Sequence, residues 1–199
     1  HSNIVPWQIL AARTKATLRY IELDDQGRLI LDDLDQLLTE RTKLVAISHV
    51  SNALGTINPL PRIIEAARRV GATVLVDGAQ GAVHTKVDVS TLGADFYAFS
   101  GHKMCGPTGI GALWGRKELL ESMSPYQGGG EMIHIVERDA SSWASVPHKF
   151  EAGTPNIVGA IGLGAAVDYL TAIGMDAIEA HERSLMEYAM EQVGAVPGL

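Results

Sequence analysis

The chain has 199 residues, 46% of them apolar and 20% charged, and a chain of this kind can bury about 70% of its unfolded surface in one soluble domain. Its net charge of −7 and its lack of a lysine or arginine cluster argue against a nucleic-acid surface, since cationic side chains supply that affinity. A single cysteine excludes an internal disulfide, and no signal-peptide pattern opens the sequence, so we expect a cytoplasmic protein.

The first forty residues show helical and strand patterns in turn. Residues 6–16 have apolar side chains on one side, which predicts an amphipathic helix with a proline in its first turn. Residues 17–22 alternate as a strand, and residues 24–27 predict a turn. A short helix with an aspartate cap is expected within residues 32–40.

The middle of the chain predicts an α/β sheet. Residues 43–48 and 73–77 are continuous apolar strands, and residues 60–70 between them have one apolar helical face. This order predicts parallel pairing through a right-handed crossover. A strand at residues 109–115 follows the strand beginning at Asp95 too soon for a helical crossover, so we expect antiparallel pairing there and a mixed sheet.

The last third of the chain predicts a loop region and two helices. Gly128-Gly-Gly130 and residues 137–149 suggest an irregular, mobile loop. Residues 157–175 are nearly uncharged and long enough for a membrane span, but their glycines and Asp168 favour a helix packed tightly in a protein interior. Residues 176–193 predict a more polar amphipathic helix.

A strand that runs into a polar turn is the central feature of the sequence. Asp95-Phe-Tyr-Ala-Phe99 is mostly apolar, and Ser100, His102 and Lys103 follow it. Parallel strands bind ligands at their carboxyl ends, so these side chains form a candidate site for an anionic cofactor. Lys103 is then a candidate Schiff-base amine, although an arbitrary loop lysine is more often simply solvated.

Asp77 ends a second strand and adds a carboxylate to the amine and the anion-binding side chains described above. Pyridoxal phosphate requires an amine, a carboxylate that keeps its pyridine nitrogen protonated, and an anion site for its phosphate. Lys103, Asp77 and the pair of Ser100 and His102 supply all three. Without such neighbours, an aspartate at this position would more often cap the next helix. The first strand-helix turn has no G-x-G-x-x-G pattern, so a Rossmann dinucleotide site is not expected.

Six motifs in one order resemble the class V aminotransferase family, and within it the SUF-type cysteine desulfurases, also described as selenocysteine lyases. The resemblance covers essentially the whole chain. The motifs are His49-Val-Ser-Asn-Ala-Leu-Gly-Thr-Ile-Asn-Pro59, Val76-Asp-Gly-Ala-Gln80, Phe99-Ser-Gly-His-Lys103, Gly106-Pro-Thr-Gly-Ile-Gly111, Gly128-Gly-Gly-Glu-Met132 and Phe150-Glu-Ala-Gly-Thr-Pro-Asn156.

The resemblance implies roles for the polar side chains at the cofactor ring. Lys103 is the catalytic residue and forms the Schiff base with pyridoxal 5'-phosphate. Asp77 pairs with the pyridine nitrogen, and Gln80 and Asn52 form hydrogen bonds with the phenolic oxygen.

The resemblance also implies a phosphate site. Ser100 and His102 bind the phosphate, and Thr154 reaches the phosphate of the other subunit in a homodimer. An equally weighted alternative makes Thr154 the N-cap of the helix after Pro155. His1 corresponds to the second of two consecutive histidines in the family's motif.

The resemblance implies an α/β fold with a mainly parallel, seven-stranded-type mixed sheet sandwiched by helices. We expect residues 1–199 to form a partial large domain that binds pyridoxal phosphate, incomplete at both ends, without the N-terminal segment and the C-terminal small domain. The fragment alone is expected to be inactive.

The implied full-length activity converts L-cysteine to L-alanine and transfers sulfur to an enzyme persulfide for iron–sulfur cluster assembly, with a SUF sulfur-acceptor protein as partner. A selenocysteine lyase or another class V aminotransferase would retain the same cofactor residues. A catalytically inactive module that binds cofactor or a partner chain is the alternative from another class.

Three further side chains have competing interpretations. His49 is either a proton shuttle or, more often for such a position, a histidine that is hydrogen-bonded in place. Cys105 adjoins the lysine turn, but we interpret it as structural, because the family's nucleophilic cysteine lies in the C-terminal domain. The other histidines lack metal-ligand spacing, so we predict no metal site.

Overall fold

The main sheet has four strands within residues 2–198, which are the residues that the structure, a computed structural model, describes. They are β1 (Leu44–Ser48), β2 (Thr73–Asp77), β3 (Phe96–Ser100) and β4 (Gly111–Gly115), in that spatial order. Strands β1, β2 and β3 are parallel, and β4 is antiparallel to β3. The predicted α/β class with a mainly parallel mixed sheet is therefore confirmed, including the antiparallel return after the lysine turn.

Helices connect the strands and extend from the sheet at both ends of the chain. The short 3₁₀ turns lie at Gly101–Lys103 and His148–Phe150. The α-helices are α1 (Val5–Thr14), α2 (Leu34–Leu37), α3 (Leu60–Arg69), α4 (Gly81–His84), α5 (Val89–Leu92), α6 (Lys117–Ser122), α7 (Ile157–Ile173) and α8 (Met175–Gly194).

Helix α3 and the first two strands form the core that fixes the strand ends. The predicted apolar face of α3 is buried at Ile63, Ile64 and Ala67, none more than 2% exposed. These side chains pack in one cluster with Val74 and Val76 of β2. Burying a large aliphatic side chain contributes about 1.5 to 3 kcal/mol, so this layer holds the two strands firmly beside each other.

The strand predicted at residues 17–22 is wrong. The segment is extended but pairs with no neighbouring strand in the described part of the chain, and Tyr20 is 50% exposed. One isolated antiparallel bridge, between Leu23 and Leu29, closes the turn that follows. Alternation alone gave the wrong result because a strand needs a partner ladder for its backbone groups.

The loop predicted at residues 137–149 is in part a hairpin. Strand β5 (Ile133–Val136) pairs antiparallel with β6 (Ser141–Trp143), and Glu137 N donates to Ala140 O at 2.8 Å across the tight turn. Arg138 and Asp139 occupy the turn. They lack the Asn-Gly or Asp-Gly signal that marks most two-residue hairpins, which explains the error.

Helices α7 and α8 confirm the two predicted C-terminal helices, but α7 does not lie in a packed interior within residues 2–198. Its Ala166 and Leu170 are buried, whereas Val158 and Ile161 are 81% and 70% exposed. Within the described residues, no single helix has the length and apolarity to cross a membrane. The two helices meet that requirement only as a pair, which is bent by 76°.

Candidate active site

The carboxyl ends of β1 and β2 and the turn after β3 meet around one small cavity of about 90 Å³. The sequence predicts that polar strand ends share one edge of the sheet, and the structure brings four of the predicted residues together there. The lining residues are Ser2, Ser48, Val50, Asn52, Asp77, Ala79, Gln80 and Lys103.

Lys103 reaches the cavity because the chain turns sharply after β3. Gly101 is buried in this turn, where its amide donates to Ile110 O at 2.9 Å. A Cβ at Gly101 would lie 2.8 Å from the Ile110 side chain and 3.0 Å from its carbonyl oxygen, so only glycine allows this approach. Lys103 is partly buried, unlike a fully solvated loop lysine, and its amine forms no hydrogen bond or ion pair within residues 2–198.

Asp77 lies at the last position of β2, with its carboxylate at the cavity. Its Oδ1 accepts a hydrogen bond from Ala79 N at 3.1 Å. The alternative that Asp77 caps the next helix is wrong, because Gln80 is the N-cap residue of α4. The local bond instead holds the carboxylate at the strand end, where the Gln80 amide also lines the cavity.

Asn52 is carried by a closed loop after β1. The Ser51 amide donates to Thr56 O at 2.9 Å, and a bridge pairs Val50 with Ile57. Gly55 has a φ of +69°, which closes the turn at little steric cost for glycine. The loop is therefore fixed by its own hydrogen bonds, and it brings Asn52 to the cavity that Asp77 and Gln80 also line.

The predicted phosphate ligands are not among the cavity residues. Ser100 ends β3 and the exposed His102 lies in the 3₁₀ turn, so both adjoin Lys103 along the chain. Thr154 is exposed, and it is not the cap of α7, because Asn156 Oδ1 accepts from Gly159 N at 2.9 Å. That alternative for Thr154 is wrong, and its phosphate role stays a prediction. His1 lies outside the described residues.

Neither His49 nor Cys105 lines the cavity, so neither lies where a catalytic residue would be expected. Ser48 and Val50 face the cavity, and the His49 side chain between them meets Tyr97, with 3.1 Å between Nδ1 and Oη. Burial lowers the pKa of His49. Cys105 is exposed, with a left-handed φ of 60°, and does not line the cavity. It therefore neither packs in the core nor faces Lys103.

Four cavity residues were not predicted as site residues, namely Ser2, Ser48, Val50 and Ala79. Ser48 and Val50 follow from strand periodicity, since residues on either side of His49 share one face, so this pattern was available. Ser2 precedes α1, far from the other residues in sequence, and only the tertiary fold brings it to the cavity. Its hydroxyl adds a hydrogen-bonding group to the wall formed by the strand ends.

A larger groove of about 600 Å³ lies elsewhere, between the turn at residues 24–32 and the start of α3. It contains none of the predicted site residues. Its two arginines already have partners, because Arg28 pairs with Asp24 at 2.8 Å and Arg62 with Asp32 at 3.5 Å. Size alone therefore does not make it the better candidate, since the small cavity has the convergent reactive groups.

The residues of the small cavity fit the requirements of pyridoxal phosphate. Lys103 supplies an amine and Asp77 a carboxylate, while Asn52 and Gln80 supply amide donors. Lys103 and Asp77 line the same cavity but do not pair with each other within the 4.0 Å that defines an ion pair. An amine and a carboxylate held apart in this way leave room for a molecule that contacts both.

Comparisons with known proteins give the family of the chain. The chain matches the aminotransferase class V family over residues 1–199. It is 58% identical to a probable cysteine desulfurase of Streptomyces coelicolor, covering 100% of this chain and 48% of that protein. The structure of the cysteine desulfurase CsdA from Escherichia coli is similar, with a TM-score of 0.96 and 46% identity, covering 100% of this chain and 50% of that one.

A second similar structure is a C-DES mutant with glycine covalently linked to its PLP cofactor. Its TM-score is 0.86 at 28% identity, covering 98% of this chain and 53% of that one. The chain spans about half the length of the curated relatives it matches. Since the family match extends over all 199 residues, the chain belongs to the class V aminotransferase family.

Proposed function

We propose that the protein containing this chain binds pyridoxal 5'-phosphate and desulfurises L-cysteine to L-alanine. The observation that supports this most strongly is that Lys103 and Asp77 line one cavity, with the Lys103 amine unpaired among residues 2–198. The cysteine desulfurases among its relatives and similar structures favour this substrate over other amino acids. When bound, pyridoxal phosphate supplies an electron sink for bonds at the substrate's α-carbon.

Each cavity residue would make a different contact with the bound cofactor. Lys103 holds the cofactor's carbonyl carbon through its amine, and Asp77 keeps the ring nitrogen protonated. Gln80 and Asn52 orient the ring through their amides. Asp77 and Gln80 are three residues apart on one turn, so a single segment would make both contacts.

The cavity walls in this chain are incomplete for such a ligand. Small-molecule sites usually enclose about 300 to 1,000 Å³, and this cavity has about 90 Å³. We infer that the rest of the protein and a second subunit complete it. In that homodimer, the exposed Thr154 reaches the phosphate of the partner subunit, while Ser100 and His102 bind the phosphate beside Lys103.

The sulfur requires an acceptor. We propose a persulfide on the enzyme outside this chain, followed by transfer to an acceptor protein of the SUF system for iron–sulfur cluster assembly. Cys105 is not the nucleophile, because its exposed turn does not line the cavity. A cytoplasmic location also stays a prediction, supported by the single cysteine of the chain.

Product analysis of the whole protein with L-cysteine tests this function. Equal amounts of alanine and sulfide, in the presence of a thiol reductant and unchanged by Cys105→Ser, support the proposal. A keto acid product would point to an aminotransferase. Much faster turnover of L-selenocysteine than of L-cysteine, measured in parallel, would point to a selenocysteine lyase. No turnover by cofactor-loaded protein would point to an inactive binding module.

A further inference from the structure

A hydrogen-bonded pair of rings lies under the turn that carries Asp77. His49 Nδ1 and Tyr97 Oη are 3.1 Å apart, and the rings meet edge to face at 84°. Tyr97 is 2% exposed and is among the largest fully buried side chains. Neither residue lines the cavity, so the pair lies behind its wall.

The backbone of the turn at residues 77–81 rests directly on these two rings. A Cβ at Gly78 would lie 2.0 Å from the Tyr97 ring and 2.3 Å from its hydroxyl oxygen. A Cβ at Gly81 would lie 2.2 Å from His49 Nδ1. Since no side chain fits in either place, the two rings set how closely the turn approaches the sheet.

The same turn presents Asp77 and Gln80 to the cavity. Its backbone is tied to the strands on either side, because His49 N donates to Asp77 O and Gly78 N to Ala98 O, both at 2.8 Å. A shift of either ring would therefore move the backbone that holds both cavity residues. Positions that differ by even about 1 Å can matter for catalysis.

The charge states of the pair favour one stable arrangement. Burial, and then the neighbouring Asp77 carboxylate, raise the pKa of Tyr97, so its hydroxyl stays protonated. Burial lowers the pKa of His49, which favours the neutral ring. With the imidazole proton on Nε2, the Tyr97 hydroxyl donates to Nδ1 and the buried polar atoms satisfy each other.

We propose that His49 and Tyr97 are positioning residues that hold the turn at residues 77–81 at the height where Asp77 and Gln80 meet the cofactor ring. This rests on the proposed binding of pyridoxal phosphate at Lys103. The role assigned to His49 acts through Tyr97 and the turn, and it replaces the proton-shuttle hypothesis, because the imidazole faces away from the cavity.

Tyr97→Phe in the whole protein tests the proposal, since it keeps the ring and removes the hydroxyl. We expect the affinity for pyridoxal phosphate to fall about tenfold, the order of one lost hydrogen bond. The absorption band of the bound cofactor should shift, because its contact with Asp77 changes. In the cofactor-free protein, hydrogen exchange at the Gly78 and Ala82 amides should become faster.

Two controls separate positioning from general stability. Tyr126→Phe removes a hydroxyl from a residue that is 89% exposed and should change nothing. Leu170→Ala, in α7 at 6% exposure and outside the core cluster behind the strand ends, should lower the melting temperature without changing affinity, spectrum or exchange at the turn. If Leu170→Ala weakens cofactor binding as much as Tyr97→Phe does, the pair has only a structural role and the proposal fails.

The outcomes also separate this proposal from the proposed function. If the parent protein binds the cofactor and Tyr97→Phe binds it within twofold, with the same spectrum and the same exchange, only the positioning role is overturned. If the parent protein does not bind pyridoxal phosphate, the proposed function and the positioning role both fail.

Discussion

Lys103 and Asp77 line one cavity from two different elements, and local backbone structure holds each of them in place. The 3₁₀ turn after β3 holds Lys103, and the bond from Ala79 N holds the Asp77 carboxylate. Neither charge is neutralised by the other within ion-pair distance. Two charges kept apart in a partly desolvated site are held ready for a ligand that satisfies both.

We expect Asp77→Ala to abolish turnover of L-cysteine by the whole protein while the fold stays intact. The pyridinium of the bound cofactor would lose its charged partner, and breaking such a buried pair costs about 3 to 5 kcal/mol. Steady-state kinetics with saturating cofactor measure the loss, and circular dichroism checks the fold.

Asp139→Ala is the matched control for this substitution. Asp139 is exposed in the turn between β5 and β6, away from the cavity, so its removal should leave turnover unchanged. Turnover of Asp77→Ala within tenfold of the parent protein would show that the carboxylate does not serve the cofactor.

The half-buried His49 predicts a pH dependence of stability. Burial lowers its pKa from the ordinary value of 6.5, so the unfolded chain binds more protons than the folded one below that pH. Stability should therefore decrease as the pH falls from about 7.5 to 5.5. Three carboxylates lose their contribution to stability only at lower pH, because hydrogen bonds lower their pKa from ordinary values of 3.8, 3.8 and 4.5. They are Asp24, Asp88 and Glu118.

Denaturation of parent and His49→Gln at several pH values checks this expectation. The variant should lose less stability over the same pH interval, since glutamine does not titrate. His134→Gln, at an exposed position, should keep the parent slope. Equal slopes for parent and His49→Gln would mean that His49 takes up its proton equally well in the folded chain.

The meeting of Lys103 and Asp77 at one cavity was predictable because both lie at or just after strand ends, where sequence order and sheet topology agree. Lys103 and Asp77 each follow a run of apolar residues that can only be a buried strand. The contact between His49 and Tyr97 was not predictable, because it depends on the spacing of β1, β2 and β3 in the finished sheet. The approach of Ser2 to Lys103 depends on the same long-range packing.

At the scale of elements, Asn156 is the N-cap residue of α7. Asn156 accepts from Gly159 N at 2.9 Å and donates to Gly109 O at 3.1 Å, so it ties the helix to the loop that precedes β4. Asn156→Ala should lower the free energy of unfolding by about 1 kcal/mol.

Thr154→Ala is the control, since the exposed threonine does not cap the helix. Thermal or chemical denaturation of both variants decides between the two caps. A larger loss for Thr154→Ala than for Asn156→Ala would restore the threonine cap that the structure excludes.

Lys149 was not predicted as a structural residue, yet it is 7% exposed and joins two elements. Its Nζ donates to Glu121 O at 2.9 Å and Met123 O at 2.8 Å, at the end of α6. Lys149→Met should destabilise the protein by about 1.5 to 3 kcal/mol, because two carbonyls lose a charged donor. Lys117→Met, on a side chain that is 79% exposed, should cost far less in the same denaturation experiment.

Equal stability of the Lys149→Met and Lys117→Met variants would contradict this role. The result also bears on the site, because Lys149 precedes the segment from Glu151 to Thr154 in the chain. Loss of this anchor would loosen the stretch that is predicted to reach the partner's phosphate.

Element prediction succeeded where burial and periodicity point the same way. Helix α3 has one apolar face, and that face is buried against the sheet. The strand at residues 17–22 failed because alternation does not provide a partner strand. The hairpin of β5 and β6 was missed because backbone pairing, and not composition, defines it.

At the scale of the whole molecule, several apolar surfaces have no cover within residues 2–198. Helix α1 has no buried residue, and the exposed side of α7 includes Val158 and Ile161. The chain spans about half the length of its curated relatives. In the larger, dimeric protein proposed above, these faces are available for packing against its other parts.

The most direct test of the account is the identity of the lysine that carries the cofactor. The whole protein is loaded with pyridoxal phosphate, reduced with borohydride and mapped by peptide mass spectrometry. We expect the pyridoxyl label on Lys103, with Lys103→Arg unlabelled and Lys117→Arg labelled as in the parent. A label on any other lysine, or none in cofactor-loaded protein, would contradict the account.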